Sequence, residues 1–133
     1  HEALRLEATN RDAAVGAAFS RFALGRYVEA LPELERLTRE GERSPFRKPR
    51  ADLDEVRSRY AWTLFYLGAY ERARTEFATG IAARPTWYGL HNGLGWTQLQ
   101  LGDRAEAQAS FQRALQLKAD LADARQGLAQ ARQ

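Results

Sequence analysis

A chain of 133 residues with 44% hydrophobic and 28% charged side chains has the size and balance of one folded domain, which excludes a disordered segment. It has no cysteine, so disulfides and thiolate metal sites are excluded, and the compartment is left open between cytoplasm and periplasm. Its net charge of +3 comes from 20 basic and 17 acidic residues interspersed along the chain, and no run of about 18 apolar residues exists to span a bilayer, so a soluble segment without membrane insertion is expected.

Residues 1–10, with Ala3-Leu4-Arg5-Leu6-Glu7-Ala8 ahead of Asp12-Ala13, echo Ala114-Leu115-Gln116-Leu117-Lys118-Ala119 ahead of Asp123-Ala124. They are expected to be the tail of a preceding repeat. Residues 11–41 are predicted to be a helix pair hinged at Leu24-Gly25 and closing with Ala30 and Leu34 on one face. Pro32 lies about one turn into the second of these helices and is expected to make it locally irregular, because proline removes a backbone hydrogen bond. Residues 42–53 hold Pro45 and Pro49 together with Arg43, Arg47, Lys48 and Arg50 around Phe46, a composition that ends helices and predicts a loop insertion.

Residues 54–87 form the second predicted pair, hinged at Leu67-Gly68 with Ala73 and Phe77 behind it, and residues 88–121 the third, hinged at Leu101-Gly102 with Ala107 and Phe111. All three hinges share Leu-Gly-x-x-x-x-Ala. Gly68 and Gly102 are 34 residues apart, whereas Gly25 and Gly68 are 43 apart, so the insertion separates the first two units. Glycine after leucine supplies the left-handed residue that ends a helix, and the alanine lets the next helix pack closely on it. Residues 122–133, polar and helix-favouring, are expected to form a capping helix.

Catalytic constellations are missing: there is no phosphate-binding G-x-x-x-x-G-K-[ST], no H-E-x-x-H and no G-x-S-x-G. His91 has no second histidine or carboxylate cluster near it in sequence and reads as packing or surface. Gly89, Gly93 and Gly95 lie in a helical pattern that follows no strand, so close helix packing explains them better than a nucleotide site. Asp52 and Asp54 sit where a helix begins and favour its dipole. The chain is therefore not expected to be an enzyme, and neither cofactor nor metal is expected.

The 34-residue period with these residues resembles the tetratricopeptide repeat family, whose pattern runs W-x2-L-G-x2-Y, A-x3-F, P. The third unit carries Leu94-Gly95, Ala107 and Phe111; the second carries Ala61 in the glycine place, then Ala73, Phe77 and Pro85. The first halves depart from the pattern, with Arg57 and His91 in the tryptophan place and Gln98 in the tyrosine place. The resemblance implies an all-α fold: a right-handed superhelical solenoid of antiparallel helix pairs, with about three repeats and a terminal helix. A longer bacterial protein is the expected parent of this chain, which begins at His1 and has no methionine.

The resemblance also implies a binding face, because the family's usual contact places are the second, fifth, ninth, twelfth and thirteenth of each repeat. These fall on Asp12, Val15, Phe19, Phe22 and Ala23, on Glu55, Ser58, Trp62, Phe65 and Tyr66, and on Gly89, Asn92, Trp96, Leu99 and Gln100. The expected groove is Phe19, Phe22, Trp62, Phe65, Tyr66, Asn92, Trp96 and Leu99, with Phe19, Trp62 and Trp96 in one column and Tyr27 and Tyr70 in a separate structural place. Exposed aromatic surface of this kind marks interaction sites, so a protein or peptide partner presenting an apolar segment or helix is expected. The places that would clamp an acidic chain terminus are mostly apolar, which disfavours that ligand. Four readings compete with this one. The rings could be packed as core, the chain could self-associate as a homo-oligomer, or it could serve an assembly or polysaccharide-handling scaffold. The basic loop at Arg43, Arg47, Lys48 and Arg50 could also take nucleic acid or an acidic surface, a reading that the interspersed charge disfavours.

Overall fold

The computed structural model describes the backbone of residues 2–43 and 52–133, with side chains from Asn10 onward. The described residues form α1 (Glu2–Ala23), α2 (Tyr27–Glu42), α3 (Leu53–Tyr66), α4 (Tyr70–Ala83), α5 (Tyr88–Gln100), α6 (Arg104–Leu117) and α7 (Ala122–Ala131). None of these helices is long and apolar enough to cross a membrane.

Each Leu-Gly hinge is a helix stop built on a left-handed glycine: Gly25, Gly68 and Gly102 have φ of 76°, 83° and 85°. Behind Gly68, the Ala69 amide donates to the Leu64 carbonyl at 2.8 Å and the Gly68 amide to Phe65 at 3.0 Å, and the other two hinges repeat both bonds. This pairing satisfies carbonyls that a helix end would otherwise orphan. The chain then reverses, and Ala30, Leu34, Ala73, Phe77, Ala107 and Phe111 are fully buried, as the spacing within each unit predicts.

The helices pack in sequence, and α1, α3, α5 and α7 also approach one another in series, whereas α2, α4 and α6 do not. The first helices of the pairs therefore make an inner layer and the second helices an outer one, with the core between them. α7 closes the inner layer, covering Phe111 and Ala114 with Ala124, Leu128 and Ala131.

One departure from the sequence reading stands out. No turn separates residues 2–10 from the first repeat; they are the opening turns of α1 rather than the end of a separate helix. α2 runs continuously through Pro32. The carbonyl of Val28, left without its intrahelical donor, belongs to a residue that is 74% exposed, where water can replace the lost bond.

Buried arginines pin both flanks of the insertion. Arg11 donates to Asp52 through Nη2 at 2.7 Å and Nε at 3.1 Å, and to the Leu37 carbonyl at 3.0 Å. Arg57, in the place where the family carries tryptophan, lies between Glu42 at 3.4 Å and Glu76 at 3.5 Å. Glu76 also takes a bond from Arg39 at 3.1 Å. Charge pairing holds this layer, where a tryptophan would have filled it with apolar area.

Candidate functional site

The inner layer opens in a pocket of about 640 Å³ lined by Phe19, Ser20, Phe22 and Ala23 of α1, Ser58, Arg59 and Trp62 of α3, and Trp87, Tyr88 and Gly89 where α5 begins. Three of the expected groove residues, Phe19, Phe22 and Trp62, meet here. Trp62 is held by an edge-on contact with Phe77, ring centroids 5.3 Å apart, and also lines the pocket. Arg59 lies over the Phe19 ring at 3.9 Å and donates to Glu55 at 3.1 Å. At the other wall, Arg84 covers Trp87 at 5.3 Å and Lys118 covers Tyr88 at 5.4 Å. Cations thus sit on the electron-rich faces of three lining rings.

The remaining expected residues divide between two neighbouring places. Tyr66 is 50% exposed; it stacks on Tyr27 at 4.6 Å and on Trp62 at 5.7 Å. Tyr27 therefore joins the groove aromatics and does not keep a separate structural place. Phe65 packs edge-on against Trp62, Tyr66 and Tyr70. The hydroxyl of Tyr66 is held above the ordinary tyrosine range, first by burial and then by Tyr27 and Asp123 nearby.

The C-terminal end of the expected column is occupied by the chain itself. Asp123 of α7 accepts hydrogen bonds on one carboxylate oxygen from Asn92 Nδ2 at 2.8 Å and Trp96 Nε1 at 3.0 Å. Asn92 is buried, Trp96 stands edge-on against Phe111 at 5.4 Å, and Leu99 packs into the same C-terminal core. Phe19, Trp62 and Trp96 therefore do not form one open column: the first two share a pocket and the third is tied to the cap.

Arg43 is exposed at the end of α2, while Arg47, Lys48 and Arg50 lie outside the described residues. His91 donates from Nε2 to the Pro85 carbonyl at 2.8 Å, a local closure of the turn before α5. Gly93 and Gly95 are packing glycines, since a Cβ would lie 2.3 Å from Phe77 and 2.7 Å from Phe111 respectively. Gly89 has room for a Cβ and instead lines the pocket.

Sequence reasoning missed Arg59, Trp87 and Tyr88. The signal for the last two was the aromatic pair at the start of α5, one turn beyond Pro85, where a chain entering the inner layer turns side chains toward the preceding helices. Arg59 gave no signal, because nothing in a single helix shows that its neighbour across the layer is Phe19.

Residues 88–121 match the family model described as Tetratricopeptide repeat. No curated protein sequence matches the chain. Among solved structures, the first tetratricopeptide domain of Spaghetti (RPAP3) bound to the HSP90 peptide SRMEEVD is 16% identical, with a TM-score of 0.78 over 92% of this chain and 90% of that one. The second such domain of human RPAP3, in complex with the HSP70 peptide SGPTIEEVD, is 17% identical, with a TM-score of 0.76 over 90% of this chain and 92% of that one. YrrB, described as a tetratricopeptide protein with an unusual peptide-binding site, is 19% identical, with a TM-score of 0.74 over 87% of this chain and 55% of that one. Likeness at these identities is likeness of fold. The chain thus has the tetratricopeptide-repeat fold, and its third helix pair, residues 88–121, carries that family's sequence pattern.

Proposed function

We propose that this chain is a protein-binding scaffold, without catalytic function, whose inner face takes an apolar segment of a partner protein in the pocket between α1, α3 and α5. The observation that carries this reading is the pocket itself: about 640 Å³ walled by Phe19, Phe22, Trp62, Trp87 and Tyr88, on an inner layer that also leaves Tyr66 half exposed. A soluble chain gains by burying aromatic area, at about 25 cal/mol per Å², so rings left accessible at one place mark a surface completed by something else. Peptide complexes of proteins with the same fold support the reading. The partner's contribution is an anchor side chain inserted among these rings, with the flanking backbone lying along the inner layer.

Peptide display on the intact chain, followed by titration of a selected peptide against two variants, tests this. Ser20→Trp adds bulk at an exposed lining position and should weaken binding at least about tenfold, which corresponds to about 1.4 kcal/mol. Thr79→Trp, at an exposed position on α4 of the outer layer, should leave it unchanged. Equal binding by both variants, or loss only with Thr79→Trp, would remove the pocket as the site.

A further inference from the structure

The C-terminal cap shows what fits against one inner-layer tryptophan. Trp96 stands on Phe111, and with Asn92 it donates to the carboxylate of Asp123, which projects from the next inner helix. Every member of that arrangement has a counterpart 34 residues earlier: Trp62 for Trp96, Phe77 for Phe111, Ser58 for Asn92 and Gly89 for Asp123. Trp62 stands on Phe77 at 5.3 Å and 83°, against 5.4 Å and 78° for Trp96 on Phe111. The two tryptophans are thus seated alike, and Ser58, Trp62 and Gly89 all line the pocket.

The difference is at Gly89, which has no side chain to bring a carboxylate to the tryptophan. A Cβ at Gly89 would meet only Trp87, in ordinary contact at 3.5 Å, and the α3 wall of the pocket carries a cation, Arg59. Its guanidinium holds Glu55 through Nη1 and has further N–H donors to offer. An aromatic pocket whose α3 wall consists of Ser58, Arg59 and Trp62, side chains that carry a hydroxyl, a guanidinium and an indole N–H, is complementary to an anion carried next to an apolar group.

We propose that the pocket takes an acidic side chain of the partner segment, set beside an apolar residue, with Trp62 and Ser58 as hydrogen-bond donors and Arg59 as counter-charge. This rests on reading the pocket as a peptide site. The source is a side chain within the peptide and not a chain terminus, because its counterpart, Asp123, is a side chain within a continuing helix.

The test uses fluorescent nonapeptide pools with flanks drawn from Leu, Ile, Phe, Tyr and Gly. One pool has a central Asp and one a central Asn, both acetylated and amidated; a third has a central Asn and a free C-terminus. Binding is read by polarisation on the intact chain, on Trp62→Phe and on Gly89→Asp, with sedimentation at the same concentrations. The Asp pool should bind about tenfold or more tighter than the Asn pool, the worth of a hydrogen bond to a charged group. Trp62→Phe should lose most of that preference. Gly89→Asp restores in cis the carboxylate that the cap carries; it should fold with an unchanged or higher melting temperature and lose binding of the Asp pool. Equal binding of the Asp and Asn pools overturns the acidic side chain and leaves the peptide site standing. Preference for the free-terminus pool, or undiminished binding by Gly89→Asp, also overturns it. Binding of no pool, or a dimer that no pool displaces, overturns the acidic side chain and the peptide site together.

Discussion

Phe77 and Phe111 set the distance between successive inner helices, because each lies against a glycine of the next one, Phe77 on Gly93 and Phe111 on Gly127, while Phe111 also lies against Gly95 of its own helix pair. A Cβ at Gly93 would fall 2.3 Å from Phe77 Cε1, and the ring, boxed in by Trp62, has no free side to move toward. Gly93→Ala should therefore destabilise the fold by about 1–3 kcal/mol in denaturant titration, whereas Gly89→Ala, whose Cβ meets only Trp87 at 3.5 Å, should be neutral or stabilising by up to about 1 kcal/mol. Titration gives a second check at this scale. Burial raises the Tyr60 hydroxyl above the ordinary value of 10.0, and burial raises Tyr66 likewise. Each phenol is then more acidic unfolded than folded, so their contribution is intact below pH 10 and is lost as pH rises through the folded values. Melting temperature should be flat with respect to these groups up to about pH 10 and fall above it, with a shallower fall in Tyr66→Phe; an unchanged slope in that variant would contradict the assignment.

Among the helices, α7 fixes where the inner face stops being available. Its Asp123 satisfies Asn92 and Trp96, and Asn92 already has one buried atom, Oδ1, without a partner. Asp123→Ala strands Asn92 Nδ2 as well and should cost about 1–3 kcal/mol of stability, measured by thermal or chemical denaturation; no loss would mean that the cap's contact carries no weight. The helix pairs themselves were legible in the sequence because Leu-Gly, a helix stop, recurs at all three hinges with the partner alanine five residues after the glycine. The cap's hold on Trp96 was not legible, since it depends on a carboxylate 27 residues away and on how far α7 is rotated when it docks. The continuity of α1 was likewise hidden: Ala3 to Ala8 has the composition of a helix end or a helix start, and only the missing turn decides between them.

For the molecule as a whole, the inner layer is divided into two regions by what the chain does with its own tryptophans. Around Trp96 it supplies a carboxylate from its last helix; around Trp62 it presents glycine and leaves a pocket. Of the places that the family pattern names, Phe19, Phe22 and Trp62 line one pocket, because repeats place equivalent residues on one face. It could not supply Arg59, Trp87 and Tyr88, which reach the pocket only through the convergence of three helices. The chain's three tryptophans are divided between these regions, Trp62 and Trp87 at the pocket and Trp96 at the cap, and act as built-in reporters. Following their indole N–H signals by NMR while adding a display-selected peptide tests the account most directly. The signals of Trp62 and Trp87 should move together while that of Trp96, tied to Asp123, stays in place; movement of Trp96 with Trp62 and Trp87 unchanged would contradict it.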